Sequence, residues 1–199
     1  MTLFLQSTIE GLSLGAVYSL VAIGLVIIYK ATDVLSFAHP AIAVVGAGLI
    51  SYLAVERGVS FWIAFPVALL LIGFLGLILE RTFLRPMVGK PVFSVAIITI
   101  GIDILLRVPL NNWIGINPKF MGDPFSTYGN FGSFTINEIT IKYLELGALV
   151  TAVISITFLS IFFKRSRYGL AMLATSFDQE ASLAQGINVG RIFGMVWFI

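Results

Sequence analysis

The chain has no cysteine, one histidine, and few charges: 11% of its 199 residues are Asp, Glu, Lys or Arg, against about 25% in ordinary globular domains. Without cysteine there is no disulfide framework, no thiolate nucleophile and no thiolate metal site. A lone His39 cannot build a histidine metal cluster by itself. The pattern GxxxxGK[ST] is missing, so nucleotide hydrolysis is not expected of this chain. The carboxylates are scattered between segments assigned below to opposite sides of a membrane. No acid–base pair or metal constellation assembles from them, so no catalytic residue, metal or cofactor is predicted and the chain does not read as an enzyme.

What is present is hydrophobicity. Apolar residues make up 58% of the chain and mean hydropathy is +1.01. They come in blocks close to the roughly 20 residues a helix needs to cross about 30 Å of hydrocarbon. Five spans are predicted, near Gly11 to Tyr29, Ala38 to Val55, Phe61 to Leu79, Val92 to Leu106 and Leu144 to Phe163. A sixth begins near Arg191 and stops at Ile199, about a third of the length needed. The expected fold is an all-α polytopic membrane protein in one transmembrane domain over 1–199, truncated at its C-terminus. A barrel is disfavoured, because barrel strands alternate over about 10 residues and these runs are continuous. The first span is longer than a signal-peptide core and lacks a basic flank, so it reads as a retained helix.

Lys30, Arg81, Arg85, Lys90, Lys164, Arg165, Arg167 and Arg191 are eight of the twelve basic residues, and all fall at one set of span ends. The positive-inside rule puts these ends in the cytoplasm and the N-terminus outside, in a plasma (inner) membrane. The small net charge of +2 follows this asymmetry, so the pI near 9.0 is no argument for nucleic acid. Residues 107–142 form an expected extracytoplasmic loop with turns at Pro109, Pro118, Pro124, Gly115, Gly122, Gly129 and Gly132, and short strands within Phe131 to Ile141. Residues 164–190 form the expected cytoplasmic loop.

Small residues make stripes at Gly11, Gly15, Ser19 and Ala22, at Ala43, Ala47 and Ser51, and at Gly147, Thr151 and Ser155. Such faces let helices approach closely in lipid, so they predict tight packing within the bundle or a subunit contact. Asp103 stands four residues before Arg107 on one helix face: either a structural ion pair or a group beside a solute route. Glu10 suits the first turn of a helix. His39, next to Pro40, marks the entry of the second span and reads as an interface histidine or as a solute contact. In the inner loop, Gly169 opens a small-residue helix with Ala171, Ala174, Ala181 and Ala184, acidic Asp178 and Glu180, and a stop at Gly186. It is either a free interfacial helix or one that docks in a partner's groove.

Four stretches carry a family resemblance: GLSLGAVYSLVAIGLVIIY at Gly11 to Tyr29, SFAHP at Ser36 to Pro40, LERTFLRPM at Leu79 to Met87 with ITIGI at Ile98 to Ile102, and YGLAMLATSFDQEASLAQGINVGRI at Tyr168 to Ile192. The sequence resembles the LivH-like permease subunits of branched-chain amino-acid ABC importers. That resemblance implies a second permease subunit, two cytoplasmic ATP-binding subunits, an extracytoplasmic solute-binding protein, and import of branched-chain or related amino acids through a membrane lipid bilayer. It implies a coupling helix between Gly169 and Gly186, with Ala174, Asp178, Glu180, Ala181, Gly186 and Asn188 in the ATPase contact. His39, Thr99 and Asp103 become the candidates for the solute route. Ser36, Pro40, Leu173 and Ser182 depart from the family's commoner residues. The residues alone leave a second class open, an ATPase-independent channel or ion-coupled carrier for a small polar solute, with Asp103 and His39 as its coupling groups.

Overall fold

The computed structural model describes residues 2–114, 132–136 and 139–199. Within them the chain forms α1 (Thr2–Thr32), α2 (His39–Ser51) prolonged by a π turn (Tyr52–Glu56), and α3 (Phe61–Leu79) prolonged by a π turn (Glu80–Leu84) and a 3-10 turn (Arg85–Met87). There follow α4 (Val92–Ile114), a hairpin of β1 (Ser133–Ile136) and β2 (Ile139–Lys142), then α5 (Tyr143–Arg165), α6 (Arg167–Phe177), α7 (Gln179–Ala184) and α8 (Val189–Phe198). Five helices are long and apolar enough to cross a membrane: Leu3–Thr32, His39–Glu56, Phe61–Met87, Val92–Trp113 and Tyr143–Arg165. The all-α polytopic class holds, with one antiparallel hairpin pairing Ser133 with Lys142 and Thr135 with Thr140.

Helix ends follow local chemistry. Asp33 takes a left-handed conformation (φ 55°) just after α1, a position short polar residues tolerate. Pro40 sits in the first turn of α2, where its missing N–H costs nothing. Glu145 occupies the first turn of α5 and accepts from the Lys142 backbone N–H at 3.3 Å. Pro66 and Pro109 lie inside α3 and α4 without ending them, as neighbouring helices allow in a membrane.

Several boundaries differ from expectation. Helix α1 starts at Thr2 rather than Gly11, so Glu10 lies well inside it and accepts from Gln6 at 3.3 Å instead of capping the first turn. Helix α4 continues past Arg107 to Ile114 because the apolar face recurs at Leu110, which is buried. The turns expected at Gly115, Pro118, Gly122, Pro124 and Gly129 fall outside the described residues.

The core lies at the basic end of the bundle. Ile27, Ile28 and Ala31 of α1, Leu79 and Leu84 after α3, Ile102 of α4, Met172 of α6, and Ile192, Phe193, Val196 and Trp197 of α8 form one buried cluster. Away from it, large apolar side chains such as Leu70, Phe74, Ile104 and Val153 stay exposed, as surfaces whose solvent is lipid or another subunit do. The short α8, the expected start of a sixth span, is the most enclosed helix, with Val189, Ile192, Phe193, Gly194, Val196 and Trp197 all buried.

Candidate functional site

The first candidate site is the irregular backbone between α1 and α2. His39 starts α2, yet its ring lies against Gly24, where an added Cβ would meet Nε2 at 2.5 Å, and it also contacts the Val21 backbone. Gly24 lies roughly 12 Å along the axis from the end of α1 at Thr32. The chain after α1 therefore turns back along that helix, and the His39 ring packs against it at the level of Gly24. Phe37 N–H donates to Thr99 Oγ1 at 3.0 Å, and that hydroxyl donates to Ala96 O at 2.7 Å. Thr32 Oγ1 donates to Ile28 O at 2.7 Å and accepts from Val34 N–H at 3.3 Å.

Non-helical backbone within a helical bundle persists where protein buries it or a cavity receives it. Both conditions hold here. Ser36, Ala38 and Thr99 are buried, and Thr32, Ser36 and Thr99 line a cleft edged by Lys90 and Gln179. The Ser36 hydroxyl has no hydrogen-bond partner among the described residues, so it is free to bond a water or a polar group entering that cleft. Sequence reasoning singled out His39 and Thr99 but found no discontinuous backbone, because a six-residue gap in a hydropathy profile does not reveal its depth.

Asp103 and Arg107 pair as the spacing predicts, with Nε to Oδ2 at 2.7 Å. Arg107 is half exposed while the other carboxylate oxygen, Oδ1, is buried without a partner among the described residues. Asp103 stands at the middle of α4, four residues and so about one turn along the same helix from Thr99.

The second candidate site is the surface at the basic end. In place of one helix from Gly169 to Gly186 there are two, because Asp178 adopts an extended conformation (φ −156°, ψ 108°) and caps α7 by accepting from Ala181 N–H at 2.9 Å. Asp178 is therefore a break rather than a mid-helix charge, and Glu180 stands in the first turn of α7, where a carboxylate suits the helix dipole. Gly169 sits where α6 folds back on α5: a Cβ there would meet Phe162 O at 2.5 Å and Phe163 Cα at 2.8 Å. Helix α6 buries Gly169, Met172 and Thr175, and Thr175 Oγ1 donates to Ala31 O at 3.3 Å. Ala174 is half-buried, whereas Phe177, Glu180, Ala181 and Leu183 face outward.

Gly186 (φ 81°) follows α7, with Gly186 N–H to Leu183 O and Ile187 N–H to Ser182 O both at 3.0 Å, a Schellman ending. Asn188 then caps α8, accepting from Arg191 N–H at 3.0 Å. Phe177 and Leu183 were not singled out from the sequence, since an apolar residue in an apolar chain carries no signal of exposure.

The small-residue stripes divide. Gly11 and Gly15 face open space, so the expected packing within the bundle is not made by them. Ser19 turns inward and donates to Ala16 O at 2.7 Å; Ala47 is half-buried and Ala43 exposed. The close crossing lies instead at Gly73 and Gly76 of α3, where a Cβ would collide with the Phe198 and Trp197 carbonyls of α8. These glycines escaped notice because their partner helix is short.

Residues 7–199 match the family described as branched-chain amino acid transport system / permease component. The chain belongs to this family. BraD of Pseudomonas aeruginosa, a high-affinity branched-chain amino acid transport system permease protein, is 26% identical over 207 residues, covering 98% of this chain and 66% of BraD. LivH of Salmonella typhimurium is 25% identical and LivH of Escherichia coli K12 24%, each over 205 residues with the same coverage. The chain thus spans 66% of the length of these relatives. No solved structure matches it. Family membership and five apolar helices among the described residues make this a multi-pass membrane protein of a permease family.

Proposed function

We propose that the chain is a membrane-spanning permease subunit of an ABC importer for branched-chain or related amino acids. The observation that carries this is the family match over residues 7–199, with relatives named for that transport. In this reading an extracytoplasmic solute-binding protein delivers the solute, a second permease completes the pathway, and two ATP-binding subunits supply energy from the basic side. The segment from Gly169 to Asn188 seats an ATPase: Phe177, Ala181 and Leu183 enter a groove, while the Glu180 carboxylate meets its basic groups and adds specificity more than affinity. Asp178 and Gly186 act by fixing the shape of that surface.

His39, Thr99 and the Ser36 hydroxyl line the solute route where the backbone is irregular, and the Asp103–Arg107 pair stands beside its outer portion. Gly11, Gly15, Ala43 and Ala47 supply faces for subunit contact. The eight-to-four basic asymmetry orients residues 164–190 to the cytoplasm and the N-terminus outward. Co-expression of the full-length permease with its ATPases, followed by affinity purification, tests the reading. Co-purification of the ATPases supports it; a permease that purifies without them and still accumulates labelled leucine in vesicles favours an ATPase-independent carrier.

A further inference from the structure

Glu80 is the one charged side chain among the fully buried described residues, at 1% exposure, and it stands where α3 passes into a π turn. Arg85 grips it with both arms, Nε to Oε1 and Nη2 to Oε2 each at 3.1 Å. The same Nη2 donates to Gly190 O in the first turn of α8, at 3.1 Å. Gly194, one turn further along α8, packs beside the pair: an added Cβ would stand in ordinary contact, 3.7 Å from Glu80 Oε2 and 3.8 Å from Arg85 Nη2. A few residues away, Gly89 N–H donates to Gln179 Oε1 at 3.3 Å, tying the same turn to the start of α7.

Burying a carboxylate such as Glu80 is a poor route to stability even with a partner, since an apolar residue of the same volume serves as well or better, and Arg85 itself keeps 44% of its side chain exposed. What a forked guanidinium offers is geometry: its donors are coplanar and fixed in direction. Here the fork joins two elements that are over 100 residues apart in sequence, and it does so at the junction between the membrane helices and the exposed α7.

We propose that Arg85, held by Glu80, is a positioning residue that locks the turn after α3 to α8, while the Gly89–Gln179 bond ties the same turn to α7, so that displacement of α7 is passed to α3 and α4. The lock itself follows from the contacts; the statement that it transmits ATPase movement rests on the proposed function above. Without it, α7 remains folded and exposed, but its movement no longer reaches the membrane helices.

The test uses the permease chain, cysteine-free over its 199 residues, made to carry Lys90→Cys and Glu180→Cys. A short bis-maleimide is applied to the isolated permease, where no ATPase is needed. Arg85→Ala and Glu80→Gln are expected to slow cross-linking about tenfold, and Arg81→Ala, exposed on the same turn, to leave it unchanged. In the assembled transporter with native residues at 90 and 180, Arg85→Ala is expected to keep bound ATPase and its hydrolysis while solute moved per ATP falls about tenfold. A merely structural role would lower abundance and leave that ratio alone.

An unchanged cross-linking rate in Arg85→Ala overturns the proposal, as does an unchanged ratio of solute to ATP. If Arg85→Ala does not accumulate, Gln179→Ala removes only the contact to Gly89 and must slow cross-linking in the same direction; no change there overturns the proposal equally. Slowed cross-linking in a permease that never binds an ATPase would uphold the lock and refute the proposed function instead.

Discussion

At the scale of single residues, close approach decides what side chains are allowed. Gly24 faces the His39 ring with no room for a methyl group, so Gly24→Ala overpacks the turn between α1 and α2. The expected loss is about 1–3 kcal/mol, read as a lower unfolding temperature in detergent, with most of it recovered in Gly24→Ala/His39→Ala. An unchanged Gly24→Ala would mean that His39 does not sit where the structure places it. The Asp103–Arg107 pair is unequal: Asp103 keeps one oxygen buried with no partner among the described residues, while Arg107 reaches the surface. Arg107→Ala strands a carboxylate in the bundle and should lower abundance more than Asp103→Asn, and the double variant should recover it. Equal and small losses in both single variants would show the pair to be hydrated. The spacing of Asp103 and Arg107 made their contact legible in the sequence, because four residues on a helix is a local relation. The depth of His39 was not legible, because it depends on where the chain goes after Thr32.

At the scale of elements, the surface at the basic end is shaped by two terminations, one legible and one not. Gly186 was readable as a stop, since a glycine after alanine-rich sequence takes the left-handed conformation cheaply. The break at Asp178 was hidden by helix-forming residues on both sides of it, although aspartate's preference for N-caps is the signal that could have found it. Gly186→Val should cost about 1–2 kcal/mol and fray α7, and Asp178→Ala about 1 kcal/mol, both seen as faster amide exchange in 179–188. Ala181 is exposed, so Ala181→Trp should leave insertion and abundance intact while abolishing ATPase co-purification and uptake by overpacking the contact. Retained co-purification with normal uptake would remove α7 from the coupling surface. The short α8 illustrates the other limit: its beginning near Arg191 was legible, whereas its burial against Gly73 and Gly76 is a tertiary fact with no mark in its own sequence.

At the scale of the whole molecule, the span count was readable because twenty-residue apolar runs are dictated by bilayer thickness. The location of the core at the basic end was not, since every span is apolar on all sides and hydropathy does not distinguish a neighbour helix from lipid. The proposed orientation rests on the basic residues: a cysteine at Ser60 should react with an impermeant maleimide from outside intact cells and one at Lys90 only after permeabilisation. The reverse pattern would invert the assignment. The central claim, import driven by a partner ATPase, is tested most directly by reconstituting the full-length permease with its partner subunits in proteoliposomes and measuring labelled leucine. With ATP on the ATPase side and a solute-binding protein on the other, the account predicts accumulation above the external concentration, lost without ATP. Accumulation that persists without ATP or ATPase, and follows an ion gradient instead, would contradict it.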